Sequence, residues 1–307
     1  MRQNLSQCSS VGCKARTGKV CVALGETTEA TLPEKVAVML RERIEGGTLE
    51  LPVLPEVAAE ILASTGREEC DLRALADLVR RDQAMATHFL RVANSALYMP
   101  KTKIVSLQQA LARLGMSAVR EIALLISVKT RTFQVRGYER QLKEQFRHSL
   151  GAALFAQEIA RMRRHNVEEA FLAGLLHDVG RPVLLQALVD LHKVVGLPPR
   201  SAAVEAAATD GHASVGSALI AKWSLPSALA EAIRFHHTPE LAPAGAKGPM
   251  MAALADELAH QALDLEPRDE ALLRSHRALD PLNLYPEDLD KLIALRQRVI
   301  DMVTAIA

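Results

Sequence analysis

The stretch from Phe171 to Arg181, FLAGLLHDVGR, holds two adjacent residues suited to chemistry, His177 and Asp178. Phe171, Leu172, Leu175 and Leu176 recur at helical spacing and give the segment an apolar face. The pattern places a helix over 167–179, with the pair at its end, Gly180 as its stop, and Arg181 and Pro182 just beyond. A neutral imidazole beside a carboxylate directs lone pairs at one point, which is how a divalent cation is held. The dipeptide is common, so its company decides what it means.

That company is extensive. A helix over 141–163 carries His148 in line with Ala152, Phe155 and Ile159, which turns the imidazole inward, and Glu144 lies one turn earlier. His212 aligns with Val215, Leu219 and Trp223, and His236 with Leu229, Ala232 and Ile233; His237 follows directly. Asp256 shares a face with Ala252, Ala253, Ala259 and Leu263. One inward histidine is ordinarily a core residue bonded to a carbonyl. Asp256 alone reads as a salt-bridge partner, and Glu144 alone as a solvated helix residue. Jointly they read differently, because burying several unpaired carboxylates is costly and one divalent ion removes the cost. Mixed nitrogen and oxygen ligation suits iron, manganese, zinc or nickel better than calcium.

The elements that must position these residues are helices. Hydrophobic residues make up 49% of the 307 and aromatics only 3%, with Ala and Leu abundant, which favours an all-α chain with a sizeable core. Helices are expected over 33–44, from 56 on, after Asp71, over 84–98, after Ser106 as far as Gly115, after Ser117, and over 141–163, 167–179, 212–223, 227–237, 249–264 and 286–305. LHKVVGLPPRSAAV reads as a loop or broken helix, and TPELAPAGAKGP as a mobile loop. Residues 1–30 show no sustained period and read as a flexible arm. A helical lobe is expected over 31–135 and a second over 136–307, joined near 134–140.

Composition also excludes classes. With 37 basic and 36 acidic residues the net charge is +1, so no polyanion or membrane surface is demanded. No apolar run reads as long enough to span a bilayer, and the first residues, MRQNLSQCSS, lack a secretory signal. Cys8, Cys13, Cys21 and Cys70 form no CxxC pair and read as reduced thiols of a cytoplasmic protein.

The order His, His-Asp, His, His-His, Asp resembles the HD superfamily of metal-dependent phosphohydrolases, and its HD-GYP branch in particular. LPVLPEVAAEIL, DLRALADLVRRDQAMATHFLRVANSALY, SLQQALARLG, HASVGSALIAKWSLP and FHHTPE resemble the HDOD family, over roughly Leu51 to Asp264. The resemblance implies an all-α domain in which an HD-like bundle packs against a helical N-terminal lobe, used in bacterial signal transduction. It also implies metal-ligand positions at His148, His177, Asp178, His212, His236, His237 and Asp256, with Glu144 as an extra carboxylate in some members. Arg181 stands where the HD pattern usually has Lys and is the candidate phosphate contact; the charge survives but the point ammonium becomes a planar fork. No GYP element follows His237, and Asp82-Gln83 replaces the common Asp-Pro.

These residues lead to a regulatory or output module that acts on a signalling protein partner, with a metal or a nucleotide or phosphate ligand in a residual site. The alternative is a metal-dependent phosphohydrolase of cyclic dinucleotides or nucleotides, in which the metal cluster activates water and Arg181 steadies negative charge. Nucleic-acid binding is disfavoured, because Arg80, Arg81 and Arg91 are offset by Glu68, Glu69, Asp71 and Asp77. Asn94, in the segment ANSALY, reads as a residue bonding to backbone beside a helix–helix contact.

Overall fold

Apolar residues recurring every three to four positions build helix after helix, and no strand occurs among the described residues. The computed structural model describes residues 32–66, 70–95, 103–128, 135–195, 202–263 and 270–306. The arm 1–30, with Cys8, Cys13 and Cys21, lies outside the described residues, as do Glu68, Glu69 and the end of ANSALY. Cys70 is a free thiol.

The first half contains α1 (Leu32–Glu45), α2 (Glu56–Thr65), α3 (Leu72–Arg80), α4 (Gln83–Ala93) and α5 (Leu107–Ser127). Starts are set by side-chain caps. Asp71 accepts from the Arg73 amide at 2.8 Å, and Asp82 from the amides of Ala84 and Met85 at 3.0 and 3.1 Å. The Asp82 cap supplies the helix start that the missing proline would have rigidified. Gly115 sits at φ 81°, ψ 162°, so α5 is two helical stretches joined at a kink that an L residue would resist. The helix expected over 84–98 ends at Ala93 instead. Asn94 caps it and donates to the carbonyls of Leu90 and Ile104, while its Oδ1 accepts from the Ile104 amide, all at 2.8 Å. These bonds fasten Ile104 to the end of α4.

The second half contains α6 (Glu139–Arg163), α7 (Val167–Leu176), α8 (Gly180–Val195), α9 (Ala202–Lys222), α10 (Ser227–Phe235), a 3-10 turn (Pro239–Leu241), α11 (Gly248–Ala262), α12 (Glu270–Arg274), α13 (Pro286–Ala294) and α14 (Arg296–Ile306). α6 is the central rod, packed against α7 and α11. Gly174 permits the α6–α7 approach, since a Cβ there would lie 2.6 Å from the Ala152 carbonyl oxygen.

Several expectations need correction. Gly180 does not stop a helix over 167–179: α7 ends at Leu176, a turn carries His177 and Asp178, and Gly180 opens α8. α9 begins ten residues before the expected 212, the last helix divides at Leu295, and α12 is additional. In α1 Met39 is exposed, while Leu40 is fully buried. The loop after His237 is tied down by Lys247, which donates to the Pro281 carbonyl at 2.8 Å, and by Arg277, which bonds Glu240 and the His237 carbonyl. Finally, Val167–Leu191 does have the length and composition to cross a membrane, but 72% of its most apolar window is buried inside the fold, as befits a core pair of helices.

Leu32–Ala307 forms one compact unit. Within it α1 packs on α8 and α9. The extended segment enforced by Pro52 and Pro55 is held by α9, whose Trp223 indole donates to the Pro52 carbonyl at 3.0 Å and whose Lys222 donates to the Leu51 carbonyl at 2.6 Å. Arg120 of α5 bonds Glu168 of α7 and donates to the Thr65 carbonyl at 2.8 Å, linking α2, α5 and α7.

Candidate metal centre

Five pieces of backbone bring the candidate ligands together. α6 supplies His148, the α7–α8 turn supplies His177 and Asp178, and α9 supplies His212. The end of α10 supplies His236 and His237, and α11 supplies Asp256. The turn works because α8 starts hard against α9: a Cβ on Gly180 would lie 2.0 Å from the His212 carbonyl oxygen. His148, His177, Asp178, His212 and His236 are all buried, and His237 is exposed.

The tautomers follow from the backbone. His177 donates its Nδ1–H to the Gly174 carbonyl at 2.8 Å, His236 to Ile233 at 2.6 Å, and His212 to Thr209, each three residues back. Their Nε2 lone pairs therefore point into the cluster. His212 Nε2 is 3.0 Å from Asp178 Oδ1, 3.3 Å from His236 Nε2 and 3.0 Å from His237 Nε2. His148 Nε2 is 3.3 Å from His177 Nε2 and 2.9 Å from Asp256 Oδ1.

The electrostatics point the same way. Burial, with the neighbouring histidines, drives His236 down to about 3. Burial also lowers His177 and His237, against the pull of the aspartates. These rings are neutral at pH 7. Burial alone would raise the Asp178 carboxyl, but His177, the contact with His212 and Arg181 outweigh it and hold it well below its ordinary range. Asp256 is likewise lowered, burial being outweighed by His148 and His177. Asp178 thus faces imidazoles, those of His212 and His177, whose Nδ1 protons are committed to carbonyls, whereas His148, beside Asp256, has no partner at Nδ1. Asp178 Oδ1 and Asp256 Oδ1 are buried without a hydrogen bond, although a ring nitrogen stands about 3 Å from each. For His212 and Asp178, lone pair meets lone pair, a contact that is favourable only with a cation between them.

The donor set fits that cation. Asp178, His212, His236 and His237 offer ligand atoms all within 4.8 Å of one another, as do His148, His177 and Asp178. Asp178 belongs to both groups. A third group adds a residue the sequence reading missed: His148, Asp256 and His260, with His260 Nε2 3.4 Å from Asp256 Oδ1. The signal was available, since His260 follows Asp256 by one helical turn on α11. Glu144 is not brought in. It is half exposed and pairs with Arg140 at 2.9 Å. Arg181 lies beside the cluster with Nε 3.0 Å from Asp178 Oδ2, and α6 adds Gln145, which donates to the Asp178 carbonyl at 2.9 Å.

An all-helical fold that closes around buried histidines and aspartates in this order defines an HD-like domain. Residues 51–239 match the HDOD domain, and the chain belongs to that family. It is 26% identical to a solved HDOD domain protein with unknown function from Geobacter sulfurreducens, covering 89% of this chain and 97% of that one with a TM-score of 0.66. A Shewanella amazonensis SB2B structure, provisionally named a metal-dependent phosphohydrolase, shares the fold at 19% identity, with a TM-score of 0.69 over 90% of this chain and 99% of that one. An uncharacterized protein of Treponema pallidum (strain Nichols) is 27% identical over 224 residues, 69% of this chain; the match spans only 42% of that relative's length.

Proposed function

We propose that this chain is a cytoplasmic regulatory or output module of bacterial signal transduction, which acts by binding a signalling protein and keeps its His/Asp cluster as a metal site for structure or sensing. The observation that carries the reading is the burial of the ligands. Asp178, His177, His212, His236 and His148 are all nearly sealed, and His237 alone of the expected ligands is exposed. A phosphoester needs room beside the metal and groups that orient it to about half an ångström. Here Arg181, the nearest cation, is engaged with Asp178, and no GYP element follows His237.

A bound iron, manganese, zinc or nickel ion would supply Lewis acidity and lower the pKa of a coordinated water. The chain's own contribution is positional. The carbonyls of Gly174, Thr209 and Ile233 fix the imidazole tautomers, Asp178 joins two donor groups, and Arg181 steadies Asp178. The second reading, a metal-dependent phosphohydrolase, draws on the complete donor set and on the provisional name of the Shewanella structure. Hydrolysis of a panel of cyclic dinucleotides, nucleotides and generic phosphoesters by metal-loaded protein, beside Asp178→Ala, separates the two. We expect no turnover above that of the variant. Robust turnover that Asp178→Ala abolishes would make the chain an enzyme.

A further inference from the structure

A second site lies apart from the histidine cluster. Helices α4, α5, α6, α7 and α14 enclose a partly open cavity of about 460 Å³, a volume typical of small-molecule sites. Its walls are mostly apolar, with Ile122, Leu125, Leu154, Phe171, Val299 and Met302 among them. Glu121 lines it as well.

The charges around the cavity are matched apart from Glu121 and the exposed Arg298 of α14. Glu168 is held by Arg120 and by the Ser117 hydroxyl at 2.9 Å, and Glu158 is held by Arg161. His88 of α4 completes the titratable set. Glu121 makes no hydrogen bond or ion pair with any described residue. A carboxyl set in an apolar wall without a partner is costly, and the cost falls when a ligand brings the missing positive charge. The apolar walls ask for a hydrocarbon body on the same ligand. From this charge complementarity we propose that the cavity binds a small amphiphilic amine, its ammonium group paired with the Glu121 carboxylate and its apolar body against Phe171, Leu154 and Met302. The same helices α6 and α7 lead to His148 and His177, so an occupant would rest against elements that carry the metal ligands.

The protonation of Glu121 is consistent with an unfilled demand. Burial, then the nearby Glu168, push its carboxyl up to about 8, against the lowering effects of Arg161 and Arg120. Without a ligand a proton fills the role of the cation. Because the folded value lies above the ordinary 4.5, the stabilisation from that proton is complete below about pH 4.5 and is lost as pH rises through about 8.

Three probes of one shape test the proposal: 2-phenylethylamine, 2-phenylethanol and phenylacetate, titrated into the full chain at pH 7.5 and followed by the methyl resonance of Met302. The amine is expected to bind at least tenfold more tightly than the alcohol or the acid, and Glu121→Gln should erase that preference. Gln keeps the volume without the charge, so the variant should fold, and its melting temperature should exceed that of the native chain above pH 8 and match it near pH 4.5. Equal or tighter binding of phenylacetate, which Arg298 would favour, overturns the proposal. So does a preference for the amine that survives in Glu121→Gln, or the absence of binding by any probe.

Discussion

Asp178 carries more of the centre than its neighbours because it serves two donor groups, while Arg181 holds its second oxygen. Glu144 sits four residues before His148 and looks equivalent in sequence, yet it faces outward to Arg140. The two carboxylates therefore make a matched pair for substitution. Asp178→Ala is expected to lower the metal content of protein purified without an affinity tag by at least tenfold, and Glu144→Ala to leave it unchanged. Elemental analysis of both variants decides the point, and equal losses would mean that Glu144 swings in to ligate. The residue types at this centre were legible in the sequence chiefly because His148, His212, His236 and Asp256 align with apolar helical faces, where a polar side chain demands a reason. His260 was as legible, one turn from Asp256, but its face mixes polar and apolar positions and gave no such demand. Glu121 was not legible, since it follows Arg120 in a helix that could solvate both.

At the scale of elements, local chemistry was readable wherever one residue fixes one bond. Asp71 and Ser106 accept from the amides their positions imply, and Gly115 breaks α5 where its sequence suggests, whereas Ser117, expected to cap a helix, lies inside α5 and donates its hydroxyl to Glu168. Gly180 was misread for a physical reason. Glycine after an apolar run looks like a helix stop, but here it answers to a neighbour 32 residues on, the His212 carbonyl, which leaves no room for a Cβ. Tertiary approach of this kind leaves no periodic trace. Gly180→Ala should push α8 from α9, costing roughly 1–3 kcal/mol as overpacking does. Because His212 rides the displaced segment, the variant should also bind manganese or zinc more weakly, by about tenfold or more. Denaturant unfolding and competitive chelator titration measure the two effects. A variant that loses stability but keeps full metal affinity would show that the centre tolerates movement of α9.

For the molecule as a whole, the histidine cluster joins α6, the α7–α8 turn, α9, α10 and α11 through polar groups. The links between the two halves lie elsewhere: Trp223 with Pro52, Arg120 with Glu168, and α1 on α9. Without a cation the cluster is a liability, with two ionised carboxylates and several lone pairs confined in a buried volume. With one, the same groups clamp the helices, and the binding free energy adds to folding because the unfolded chain has no assembled site. At free metal about a thousandfold above the dissociation constant the gain is about 4 kcal/mol. For a unit of this size that corresponds to roughly 7 °C in melting temperature. Calorimetry of manganese- or zinc-loaded protein, before and after chelation, should show one transition that falls by that amount, since the clamp spans helices on every side of α6. Asp178→Ala should melt at the same temperature with and without the chelator. A native melting temperature indifferent to chelation would mean that the cluster satisfies itself through protons, with His148 donating to Asp256 as the model for the rest. Two separate transitions, only one of them sensitive to metal, would instead divide the molecule into a clamped bundle and an independent remainder.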